Sequence, residues 1–182
     1  MDFIEMIHLS QGEWTIFIGT KEKIVNYFES FSIKEASRYE QILGPDYEFG
    51  KKLSEKVTGN SIALKYELKI AGKDYTLRVE KTMGEIGLMT DFYLHSLKAE
   101  EVFMGQLNWG LTGQDIAKIH IYIPEGWRRQ GLGYALMNIA LKDIFNTSAK
   151  EIICKTFVIS TESQVRSTPR TMRFISRFGF SL

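Results

Sequence analysis

Between positions 128 and 133 the chain reads Arg128-Arg129-Gln130-Gly131-Leu132-Gly133. Two glycines two residues apart permit a tight turn and let a ligand reach the main chain with no Cβ in the way. A helix opening at Leu132 leaves its first amides unpaired at the positive end of its dipole, where a diphosphate sits well. Arg128 and Arg129 add forked cationic donors beside them. As a bare string the segment also describes an ordinary strand-to-helix turn, so its neighbours decide its meaning. Upstream, His120 and Tyr122 share one face of an alternating strand, and histidine titrates in the range useful for proton transfer. A packed or solvated side chain is the plainer role for each. Cys154 is the only cysteine; its apolar neighbours predict a buried thiol rather than a nucleophile. His8 and His95 have no partner at metal spacing, and no metal is inferred.

The elements that must position these residues follow from periodicity. Lys118 to Ile123 alternates, with Ile119, Ile121 and Ile123 on one face and His120 and Tyr122 on the other. A turn from Pro124 to Gln130 leads to a helix over Leu132–Phe145 with Asn146 as its stop. Glu151 to Ile159 is a nearly continuous apolar run, which predicts a strand buried on both sides and parallel to Lys118–Ile123. A last helix is expected from Thr168-Pro169 to Gly179. Further upstream, Glu13–Ile18 reads as a strand, Lys21–Phe31 as a helix capped by Thr20, and Ile33–Leu43 as a second helix. Ser61–Ile70 and Tyr75–Glu80 form a hairpin around Ala71-Gly72-Lys73-Asp74, and strands over Glu85–Leu97 and Glu101–Trp109 extend it into a meander.

At 182 residues the chain has room for one well-packed domain. Asp2 and Glu5 stand where a secretion signal would be basic, and no apolar run is long enough to cross a bilayer, so a cytoplasmic location is expected. The net charge of +1 hides an asymmetry: residues 125–182 hold nine of the 23 Lys/Arg but four of the 22 Asp/Glu. A basic half suits an anionic ligand, a phosphate-bearing cofactor or nucleic acid, although a solvated basic surface has the same composition.

With a strand before it and a helix after it, Arg128-x-x-Gly131-x-Gly133 resembles the signature of the GNAT superfamily of acyl-CoA-dependent N-acyltransferases. Ile123 matches the strand-end residue of that signature and Trp127 a position that is usually aromatic. Phe174-Ile175-Ser176-Arg177-Phe178-Gly179-Phe180 is similar to the family's closing motif. The likeness covers about residues 117–182. It implies an α/β (α+β) fold: a mixed, mostly antiparallel sheet flanked by helices, with a parallel strand pair splayed around the cofactor. The chain would be a single GNAT-like domain, with 1–116 as a divergent acceptor-side half and 117–182 as the acyl-CoA-binding half.

By the same resemblance, acetyl-CoA is the cosubstrate. Ile121 and Ile123 would line its pantetheine arm, and Arg128, Arg129, Gln130, Gly131, Leu132, Gly133 and Tyr134 would hold its pyrophosphate. An amide at or near Ile123 would face the thioester carbonyl. The family's acidic tyrosine falls at Ile175, which has no proton to give, its asparagine at Thr168, and its glutamate near Ala117. Tyr122, His120 and Tyr134 are the candidates to replace the missing acid and base. The expected activity is acyl transfer to an amine of a small molecule or protein. Two alternatives stay open: an acyl-CoA-binding module without turnover, and a relative acting on tRNA or DNA through Arg166, Arg170, Arg173 and Arg177.

Overall fold

The computed structural model describes residues 12–26, 47–85, 87–97, 102–112, 115–159, 174, 175, 177, 178 and 180. Eight strands form one sheet: β1 (Gly12–Thr20), β2 (Tyr47–Thr58), β3 (Ser61–Ile70), β4 (Lys73–Gly84), β5 (Gly87–Ser96), β6 (Phe103–Thr112), β7 (Ile116–Tyr122) and β8 (Glu151–Ile159). Their order across the sheet is β1-β8-β7-β6-β5-β4-β3-β2. From β2 to β7 the strands are an antiparallel meander, β7 and β8 pair parallel, and β1 returns antiparallel along the outer edge of β8. The class is α+β, with a mixed and mostly antiparallel sheet.

Short turns set the register. Ile70 pairs with Lys73, so the β3–β4 loop is the two residues Ala71 and Gly72, both at positive φ (50° and 78°). That geometry matches the twist of the flanking strands. The register then aligns Leu64, Val79, Phe92, Leu107 and Ile121 across five strands. With Leu68, Leu77, Leu94, Trp109 and Ile119 they make one apolar face of the sheet.

Helix α2 (Leu132–Phe145) lies on that face; a short helix over residues 21–26, α1, precedes it in the chain. α2 is held at its far end by Asp143, which accepts from Lys81 Nζ at 3.0 Å and from the buried Trp109 Nε1 at 3.3 Å. Its apolar surface is wider than one stripe: Ala135, Met137 and Leu141 are buried together with Leu132, Leu136, Ile139, Ala140 and Ile144. At α1, Thr20 Oγ1 caps the first turn by accepting from the Lys23 amide at 3.2 Å, as the sequence predicts.

The bounds of α2 and β8 agree with the sequence reading, and Asn146 is the C-cap of α2. Other expectations need correction. Strand β7 runs Ile116–Tyr122, so Ile123 lies just past its end. In β8, Ile152 and Cys154 are buried, but Glu151 and Ile153 are only half-buried, so its first residues alternate. Strand β2 was not anticipated. It is exposed along nearly its whole length, and register shifts between Phe49 and Lys52 and between Lys52 and Ser54 break its alternation. The helix expected over 33–43 and the start of the last helix at Thr168 lie outside the described residues. Among those described, no helix is long and apolar enough to cross a membrane.

Candidate functional site

The pairing of β7 with β8 ends at His120 and Lys155. Yet β7 continues to Tyr122, paired with Gln106 of β6, and β8 continues to Ile159, paired with Gly12 of β1. Each strand therefore stays fixed by its outer neighbour while the two inner edges part. Among the described residues, the backbone groups on the inner edges past this fork have no ladder partner across it.

The chain leaves β7 at the mouth of the fork and turns at once. Pro124 opens a 3-10 turn over Glu125–Trp127, closed by the Trp127 amide donating to the Pro124 carbonyl at 2.9 Å. Arg128 Nε then reaches back to the Ile123 carbonyl at 2.8 Å. The arginine thus ties the signature segment to the strand end, and its remaining guanidinium donors face outward on an exposed side chain. Arg129 is also exposed and takes positive φ (65°), a strained conformation for a residue with a Cβ.

Gly131 is the N-cap of α2 at φ 80°, and no side chain caps the helix there. The Ala135 amide closes the first turn onto the Gly131 carbonyl at 3.1 Å. The amides of Leu132, Gly133 and Tyr134 precede that bond and have no acceptor within the helix. Leu132 turns inward and is buried, while Gln130 is half-exposed beside the turn. Gly133 answers a different need from the one its motif suggests. A Cβ there would stand 3.3 Å from Phe174 Cζ, so its bareness admits the C-terminal segment to the first turn of the helix.

The three candidates for proton transfer fall in two places. His120 and Tyr122 lie on the face of β7 away from α2, and Tyr122 is 57% exposed at the fork. Tyr134 lies on the helix, its ring edge-on to Phe174 at 4.8 Å and tilted against Phe178 at 5.6 Å, with its hydroxyl accepting from Arg177. Its described contacts are those of an aromatic cluster. Ile175, where the resemblance would want a tyrosine, is fully buried. Burial pushes the Cys154 thiol up to about 12, so it stays protonated and is no nucleophile. Of the basic stripe, Arg177 is described and exposed; Arg166, Arg170 and Arg173 lie outside the described residues. Among the described residues no three His, Cys, Asp or Glu gather to hold a metal ion.

A row of polar residues that the sequence reading missed shares the far face with His120. In register, Glu80 (β4), Asp91 (β5), Asn108 (β6) and His120 (β7) stand side by side across four strands. Asp91 is held above the usual carboxylate range, first by burial and then by the charge of Glu80, while a hydrogen bond from Asn108 opposes the shift. Burial, then the charges of Asp91 and Glu80, push the Tyr93 hydroxyl up as well, with Arg78 opposing. The intervals along the chain between these residues follow no motif; the one local signal was that each is polar at an outward position of its strand.

No known family model matches the chain, and no curated protein is similar to it.

Proposed function

We propose that the protein is an acyl-CoA-dependent N-acyltransferase of GNAT-like architecture. The observation that carries this reading is the fork: β7 and β8 run parallel, part after His120 and Lys155, and the strand at the fork feeds an uncapped helix through a left-handed Gly131. An extended chain carrying an amide has the inner edge of β7 to follow at Ile121, past the last residue paired with β8. A diphosphate has the amides of Leu132, Gly133 and Tyr134 with the helix dipole behind them, and Arg128 and Arg129 add charge. These groups fit an acyl-CoA; an uncapped first turn and two exposed arginines beside it favour an anion over a neutral ligand.

In this reading the acyl thioester lies at the mouth of the fork near Ile123, where a backbone amide stabilises the oxyanion formed when an amine attacks. The amine nitrogen gives up a proton and bonds to the carbonyl carbon, the C–S bond breaks, and the departing thiolate takes a proton. His120 and Tyr122, on the acceptor side of the fork, are placed to exchange protons with solvent and substrate. The acceptor half is the meander from β2 to β6. A second reading, binding without turnover, is favoured by one observation: the buried Ile175 removes the usual acid.

Thiol release from acetyl-CoA over a panel of primary amines and amine-bearing peptides separates the two. Amine-dependent release that falls at least tenfold in Tyr122→Phe or His120→Gln supports transfer. Saturable acetyl-CoA binding with no release above background for any amine supports the binding module and rejects the enzyme.

A further inference from the structure

We infer that Gly105 is a positioning residue of the proposed cofactor site: its missing side chain leaves a seat for Ile123 against the head of α2, and the filled seat sets the span from the end of β7 to that helix. The span selects a ligand that carries its acyl group and its diphosphate at opposite ends of one arm, so that both ends are held at once. The inference rests on the acyl-CoA reading of the fork, though not on turnover.

Gly105 lies in β6, paired with Leu94 of β5 and one residue before Gln106, whose partner Tyr122 is the last residue of β7. It is buried, and the atom nearest to the place its Cβ would take is Ile123 Cδ1, 2.6 Å away. The next atoms, the Tyr122 carbonyl oxygen at 3.5 Å and Leu136 Cδ1 at 3.6 Å, are at ordinary contact distances. A side chain at 105 and the present position of Ile123 therefore exclude each other. From this seat Ile123 also reaches the helix head, where its Cγ1 lies 3.8 Å from the place of a Cβ at Gly133.

The chain between the strand end and the helix gives little support of its own. Glu125, Gly126, Arg128 and Arg129 are exposed, and a Cβ at Gly126 would meet nothing within 4 Å. Residue 123 makes the connection instead. Its side chain is seated over Gly105, and its carbonyl accepts from Arg128 Nε at 2.8 Å. Isoleucine is stiff at χ1, so a seated side chain fixes the backbone that carries it. Gly105 stands one strand back from the fork and acts through Ile123. A ligand gripped at two ends gains from the second grip only where its arm matches the span, so a small shift of one end is costly.

The test measures dissociation constants on the full chain for acetyl-CoA and for 3′-phospho-ADP, which carries the diphosphate without the arm. Gly105→Ala is expected to weaken acetyl-CoA roughly fivefold or more and to leave 3′-phospho-ADP within about twofold of the natural chain. Ile123→Val removes the Cδ1 that the new methyl meets. Combined with Gly105→Ala, it is expected to bring acetyl-CoA back to within about twofold of Ile123→Val alone. Equal loss of both ligands in Gly105→Ala, or loss of neither, overturns the inference; so does a selective loss that Ile123→Val fails to rescue. If Gly105→Ala does not fold, Ile123→Ala, which empties the seat, is read in its place: selective loss of acetyl-CoA supports the inference and an unselective result overturns it. No saturable binding of acetyl-CoA by the natural chain rejects the acyl-CoA reading and the inference with it. Binding by the natural chain with an unselective variant rejects the inference alone.

Discussion

At single residues, the backbone angle of Gly131 and the charge of Asp91 each carry a measurable consequence. Gly131 sits at φ 80°, where a side chain is strained whatever the space around it. Gly131→Ala is expected to lower stability by roughly 1–2 kcal/mol. It also crowds the amides at the head of α2, so acetyl-CoA affinity falls further than the stability loss explains; unfolding curves and a titration on the same variant measure both. At Asp91 the linkage runs as for any carboxyl whose folded value is raised. Its contribution is fully favourable below the unfolded pKa and is lost as pH rises through the folded one, so at neutral pH the ionised group is a burden. Asp91→Asn is therefore expected to melt above the natural chain at neutral pH. The gain should shrink on acidification through the carboxylate range, as Asp91 takes up a proton. A variant less stable at neutral pH would contradict this. The glycines at 131 and 133 were legible as a motif, but their separate duties were not. The sequence shows two bare positions, whereas the difference lies in a dihedral angle at one and the approach of Phe174, far downstream in the chain, at the other.

Among the elements, α2 and β8 were readable to the residue because their signals are local. A glycine opens the helix, Asn146 closes it, and a β-branched run defines the strand. Strand β2 was not, because its two bulges insert residues that scramble the period of two, and an exposed edge strand has no apolar face to betray it. Gly59-Asn60 between two polar-rich segments was the available clue, since Thr58 pairs with Ser61 across that two-residue loop. The polar row at 80, 91, 108 and 120 needed the register of four strands at once, which no local pattern contains. What joins α2 to the sheet is more specific than burial. Asp143→Ala leaves the buried Trp109 indole N–H and the Lys81 ammonium without their acceptor. A loss of about 2 kcal/mol is expected in denaturant unfolding, in the usual range for a buried unsatisfied donor. Asp143→Asn, which keeps an acceptor oxygen, should lose less.

Over the whole molecule, the sheet has two edges with different treatments. At one end β1 covers β8 along its full length and fixes the outer arm of the fork, a pairing between the first and last described strands that no local reading of residues 12–20 could have supplied. At the other end β2 exposes Phe49, Leu53 and Val57. An exposed edge of that kind invites pairing with another chain, and the bulges together with Lys51, Lys52 and Lys56 work against it. Replacing Lys52 and Lys56 together by Val is expected to drive self-association, seen as earlier elution in size-exclusion chromatography at raised concentration. An unchanged elution volume would show that the bulges suffice without the charges. The fork between these edges is where extended chain, bare helix amides and outward arginines converge. A calorimetric titration with acetyl-CoA asks most directly whether that convergence is a binding site. The account predicts saturable one-to-one binding in the micromolar range, about −8 kcal/mol, weakened by added salt because a diphosphate meets arginines and a helix dipole. Absence of any saturable heat up to millimolar acetyl-CoA would contradict it.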